Sequence, residues 1–135
     1  MSYLSDRYDL PKPQSLPDIV FTSPADLLSR LGETTEASAG AIFAGDIAAL
    51  YDNRTGTILL RHSWRGADPA EQSILVHELV HHLQVEAEHR YACPQAREKE
   101  AYRAQSDWLA RTGREITDVF DIDPMMLFVL TNCGI

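Results

Sequence analysis

Residues 68–88, DPAEQSILVHELVHHLQVEAE, constrain this chain more than any other stretch. Asp68 is a good N-cap, Pro69 suits the first helical position, and Glu71 stands three residues after the cap. The spacing predicts a helix from about 69 to 88. A rod of that length spans roughly 30 Å, the width of a small domain. Ile74, Leu75, Val76, Leu79, Val80 and Leu83 place apolar groups on most of its sides, so other elements must cover it. The same rod carries His77, Glu78, His81 and His82. Buried imidazoles and carboxylates need partners.

Punctuation along the chain supplies the other elements. Pro11, Pro13 and Pro17 make residues 1–17 an extended arm. DIVF at 18–21 reads as a strand. Ser23-Pro24-Ala25-Asp26 opens a helix with Leu27, Leu28 and Leu31 on one face, closed by Gly32. ETTEASAG at 33–40 is a polar loop. Residues 41–52 read as a strand interrupted at Gly45. Asn53-Arg54-Thr55-Gly56 is a turn, and TILLRHSW at 57–64 returns as the second strand of an antiparallel hairpin. Pro94 starts a helix to about Arg111, stopped by Gly113, and Asp123-Pro124 starts a short last helix, MMLFVLT. The expectation is a single α+β domain over 1–135, with a small antiparallel or mixed sheet against two long helices.

The chain has 135 residues, enough for one real core. Its net charge is −8, from 20 acidic and 12 basic residues, and the basic ones are scattered. A nucleic-acid backbone is therefore not the expected partner. No apolar run approaches the roughly 20 residues of a membrane span. The first 21 residues hold no apolar signal core. Cys93 and Cys133 are too far apart for a CxxC site. They are either two buried thiols of a cytoplasmic protein or one disulfide. Flanking turn residues Pro94 and Gly134 favour the bridge. A bridge implies a periplasmic or secreted protein whose signal peptide lies outside this sequence.

His77-Glu78-Leu79-Val80-His81 has the form HExxH. Helix geometry explains the spacing: residues i and i+4 share a face, so two imidazoles can reach one ion. Glu78 is offset by about 100 degrees and can reach a water on that ion without ligating it. A zinc ion brings the pKa of its water toward about 7, and a carboxylate can take the proton. The expected metal ligands are thus His77 and His81, with Glu78 as general base. His82 points elsewhere. His89 lies roughly 12 Å along the axis from His81, too far to share the ion.

HELVHHLQ, followed by glutamates in Arg97-Glu98-Lys99-Glu100-Ala101-Tyr102, resembles the gluzincin-like metallopeptidases, in particular the small bacterial zincins that cleave phage repressors. The resemblance covers about half of the chain. It implies a minimal zincin-like fold, a bound Zn2+, and a third ligand from a glutamate on the second helix. Glu100 is preferred over Glu98 for that role, because it sits nearer the apolar side defined by Ala101, Ala104, Trp108 and Leu109. The resemblance further implies that TILLRHSW is an edge strand to which substrate peptides add, with His62 and Trp64 at the cleft. The aspartate that supports the first histidine in larger gluzincins is replaced by Ala104. That leaves Gln105 or Asp107 to support it, and Tyr102 as a candidate second transition-state group.

Two functions follow as expectations. One is zinc-dependent hydrolysis of peptide or amide bonds in a peptide or protein substrate, with metal-bound water as nucleophile. The other is a non-catalytic zincin-fold binding module with a structural or vestigial metal. Sequence does not specify the oligomeric state.

Overall fold

Helix α2 (Pro69–Glu86) is the axis around which the other elements gather. Its start matches the sequence signal. The Asp68 carboxylate accepts the Glu71 N–H at 2.9 Å, and the Glu71 carboxylate reaches back to the N–H groups of Arg65 and Ala67. Its end falls two residues earlier than the pattern suggests. Glu88 adopts φ 52, a left-handed conformation that cannot continue a helix.

The structure is a computed structural model that describes residues 4, 15–33, 38–39, 42–43, 46–47, 49–88, 90–120 and 123–133. Most of the expected N-terminal arm, and His89, lie outside the described residues. In chain order the elements are β1 (Asp18–Thr22), α1 (Pro24–Glu33), β2 (Ser38–Ala39), β3 (Ile42–Phe43), β4 (Asp46–Ile47), β5 (Ala49–Asp52), β6 (Thr57–Arg61) and α2. Helices α3 (Pro94–Ala110), α4 (Ile116–Val119) and α5 (Pro124–Thr131) follow.

The fold is α+β. The main sheet is mixed, in the order β1-β6-β5-β2, with β1 parallel to β6 and β6 antiparallel to β5. Residues 42–47 do not extend β5 as the sequence suggested. Ile42–Phe43 and Asp46–Ile47 pair with each other as a separate two-stranded ribbon, with Ile42 opposite Ile47. A second correction concerns β6. It lies between β1 and β5 and is not an edge strand, so no peptide can add to it. Its apolar run explains why: Ile58, Leu59 and Leu60 are all buried, so both faces of the strand are covered. Leu59 packs with Leu50 and Leu27 of α1 on one face, while Ile58 and Leu60 join Ala49, Tyr51 and Ile74 of α2 on the other.

Helix α3 lies against α2. Ala101 and Ala104 present no side chain beyond Cβ, which lets Val76, Val80 and Leu83 approach closely. After Gly113, at φ 74, the chain forms the short α4, which the sequence pattern did not reveal. It then returns along α3 as α5. A Cys93–Cys133 disulfide, with Cα atoms 5.9 Å apart, pins the end of α5 to the start of α3. The bridge closes a loop with a sequence separation of 40, worth about 4 kcal/mol through the entropy of the unfolded chain. Reduction is expected to lower the melting temperature by about 10 °C. Paired thermal melts with and without reductant check this, and an unchanged midpoint contradicts it.

Candidate metal centre

One turn of α2 separates His77 from His81, and their ring centroids are 5.1 Å apart. His77 and Glu78 are 0% exposed and His81 is 2% exposed. The ligating atoms of His77, Glu78 and His81 all lie within 4.8 Å of one another. This buried group can hold a metal ion.

Helix α3 brings a carboxylate to the two imidazoles, and it belongs to Glu98. Glu98 Oε2 is 3.0 Å from His77 Nε2, and Glu98 Oε1 is 3.1 Å from His81 Nε2. Glu100, the preferred third ligand from sequence, is elsewhere: it accepts hydrogen bonds from Gln84 Nε2 and the Tyr91 hydroxyl. The reason is helical phase. Glu98, Tyr102, Gln105 and Leu109 fall at i, i+4, i+7 and i+11, on one stripe. That stripe meets His77: Tyr102 packs edge-on against its ring at 4.5 Å, and Gln105 bonds it. The apolar stripe of Ala101, Ala104 and Trp108 faces a different part of α2.

A hydrogen-bond chain fixes the orientation of His77. Ser73 Oγ donates to the Ala70 carbonyl at 2.7 Å, so it accepts from Gln105 Nε2 at 3.3 Å. Gln105 therefore turns its carbonyl oxygen to His77 Nδ1, 2.9 Å away. Nδ1 must carry the proton, and the Nε2 lone pair points toward Glu98 and His81. Gln105 thus supplies the support that Ala104 cannot.

Burial holds the His77 imidazole below its ordinary range, against the pull of Glu98. Burial acts the same way on His81, but the charges of Glu98 and Glu78 outweigh it and carry His81 up to about 9. Burial pushes the Glu78 carboxyl up to about 8. Burial also opposes ionisation of Glu98, yet His81 and His77 keep its pKa well below the usual carboxylate range.

These residues fit a divalent cation. Both oxygens of Glu78 are buried without a hydrogen-bond partner, and so is His81 Nε2. The 3.1 Å approach of His81 Nε2 to Glu98 is a contact without hydrogen-bond geometry. Donor atoms of two imidazoles and a carboxylate converge on one another, with Glu98 Oε2 at hydrogen-bond distance from His77 Nε2. One ion lying between these groups could touch both imidazoles and Glu98, whose atoms approach to 3.0 and 3.1 Å. A divalent ion would displace the protons that Glu78 and His81 hold near neutral pH, leaving two ionised glutamates and two neutral imidazoles to balance its charge.

The other sequence candidates take structural roles or stay at the surface. His82 bonds Tyr51 Oη through Nδ1 at 2.9 Å and the Ser15 carbonyl through Nε2 at 2.8 Å, which ties the chain at Ser15 to α2. His62 is exposed. Trp64 donates to the Glu71 carbonyl at 2.7 Å. It lines an apolar pocket of about 340 Å³ with Trp108, Leu75, Val76 and Leu79. Those α2 positions lie across the helix from His77 and His81, so the pocket is not part of the metal centre.

Fold and cluster together define an α+β domain with a buried His–Glu–His group able to hold a metal ion. The chain belongs to a family described as a domain of unknown function, DUF6647, whose sequence model matches residues 1–134. No curated protein and no solved structure matches it.

Proposed function

We propose that this domain is a zinc-dependent hydrolase of peptide or other amide bonds, of the gluzincin-like class. The observation that carries the reading is Glu78: a fully buried carboxylate, without a hydrogen-bond partner, beside two imidazoles that converge on Glu98. An acid placed this way gains nothing for the fold, and pKa-shifted groups of this kind collect at functional sites. His77, His81 and Glu98 are the zinc ligands in this proposal, a nitrogen and oxygen donor set that suits zinc. Bound zinc supplies Lewis acidity, which makes water a nucleophile near neutral pH and polarises a carbonyl. Glu78 takes the proton from the attacking water and returns it to the departing amine. Gln105 keeps His77 Nε2 turned inward throughout. The substrate is a peptide or protein. The Cys93–Cys133 bridge favours an oxidising compartment, periplasmic or extracellular.

A second reading has its own support. Glu98 is the most open member of the cluster, with its side chain 17% exposed. A peptide reaches His77 and Glu78 only if a covering segment moves. A structural metal in a non-catalytic domain needs no such motion.

Metal analysis of the purified protein is expected to give about one zinc per chain. Hydrolysis of a peptide library is expected to stop with a chelator and resume with added zinc. Zinc binding without hydrolysis selects the second reading. Failure to bind any divalent ion sinks both.

A further inference from the structure

We propose that Tyr91, Glu100 and Gln84 form a positioning relay that aims His81 at the metal centre, so that Glu100 acts through two other residues and is not a ligand. The proposal rests on the metal reading above.

The polarity of the relay follows from its chemistry. Gln84 is 2% exposed. Its Nε2 donates to the Arg97 carbonyl at 3.0 Å and to Glu100 Oε1 at 2.9 Å, and both of these oxygens are acceptors. The amide can therefore satisfy them only with its nitrogen. That leaves Gln84 Oε1 facing His81 Nδ1, at 2.9 Å. A carbonyl oxygen only accepts, so His81 Nδ1 carries a proton. The Nε2 lone pair is left for the side of the ring where Glu98 lies. The Tyr91 hydroxyl donates to the same Glu100 oxygen and holds that carboxylate in place.

This arrangement repeats for His81 what Gln105 does for His77. Each imidazole meets a glutamine oxygen at Nδ1, and each glutamine amide is fixed by acceptors of its own. The relay also couples the two helices. Arg97, Glu98 and Glu100 are neighbours on α3, so the bonds that orient Gln84 also set the height at which Glu98 meets α2. Tyr91 comes from the segment just before Cys93, which the disulfide holds. Partners of metal ligands typically change metal affinity by roughly 10–100-fold when removed.

The test compares Gln84→Met, Glu100→Gln and Glu100→Leu with the parent chain. Zinc affinity is measured by competition with a chelating dye, and circular dichroism checks the fold. The ring N–H proton resonance of His81 Nδ1 is followed in 15N-labelled metal-free protein. Methionine keeps the volume of Gln84 but cannot accept the hydrogen bond. Zinc affinity is expected to fall about 10–100-fold in Gln84→Met and about 10-fold in Glu100→Leu. The low-field, slowly exchanging Nδ1–H resonance is expected to vanish in Gln84→Met. Glutamine at position 100 still accepts from Gln84 and Tyr91, so Glu100→Gln should stay within about 3-fold of the parent. A loss in Glu100→Gln deeper than about 100-fold, beyond the range of an outer partner, overturns the relay and makes Glu100 a ligand. Unchanged affinity and an unchanged resonance in Gln84→Met overturn it too. A parent chain that binds no zinc refutes the metal reading alone, because the His81 resonance still decides whether the relay exists.

Discussion

Zinc titrated into Glu98→Ala is expected to bind far more weakly than zinc titrated into Glu100→Ala. The two glutamates sit two positions apart on one helix and differ in what they touch. Glu98 spans both imidazoles, with one oxygen 3.0 Å from His77 Nε2 and the other 3.1 Å from His81 Nε2. Removing it takes away a ligand and leaves His81 and His77 without the charge that faces them. Glu100 reaches His81 only through Gln84. Its loss falls within the roughly 10–100-fold range of an outer partner, and the Glu98 loss should exceed that range. His77→Ala and His81→Ala are expected to abolish measurable binding. Calorimetric titration of the four variants gives the order directly. A deeper loss in Glu100→Ala than in Glu98→Ala would refute this ligand set.

The same pair of glutamates marks where the sequence stopped being informative. Local signals were legible: Asp68-Pro69-Ala70-Glu71 sets a capped helix start, and HExxH on that helix brings His77, Glu78 and His81 together. Those outcomes depend on residues a few positions apart. The choice between Glu98 and Glu100 depends on which side of α3 meets α2. Apolar residues were the guide, and they mark the side packed by Ala101, Ala104 and Trp108. The stripe that meets the imidazoles is Glu98, Tyr102 and Gln105, polar because its task is to satisfy polar groups. Gln105, three and seven residues beyond Tyr102 and Glu98 and so on the same stripe, was the available signal. The position of β6 was hidden for a related reason. Its pairing partner β1 is separated from it by α1 and the β2–β5 segments, and parallel pairing leaves no turn signal in the sequence. The fully apolar Ile58-Leu59-Leu60 run was the sign that both faces, and hence a central place, were involved.

Glu78→Gln is expected to leave zinc binding in place while hydrolysis falls by about 10²–10⁴-fold, the usual worth of a positioned general base. Glutamine keeps the size of the side chain and cannot accept a proton at neutral pH. The same variant is expected to make the metal-free protein more resistant to unfolding in mild alkali, and the sign follows from proton linkage. Burial raises the Glu78 carboxyl from its ordinary 4.5 to about 8 in the folded chain. The folded state thus holds a proton that the unfolded state has already released, and stability falls as pH rises through that window. His81, raised to about 9, acts in the same direction above its ordinary 6.5. His77 and Glu98 shift downward, so their effects lie at lower pH, and between pH 6.5 and 8 they add little. Over those pH units the metal-free parent should lose stability to both groups, and Glu78 alone accounts for about 2 kcal/mol. Glu78→Gln should therefore show a visibly shallower decline in urea midpoint from pH 6.5 to 8. Zinc reverses the parent's trend, because it binds the deprotonated ligands and stabilises the folded chain more as pH rises. Equal slopes for parent and variant would mean that Glu78 is not the buried acid described here, and zinc lost along with activity in Glu78→Gln would make it a ligand instead of a base.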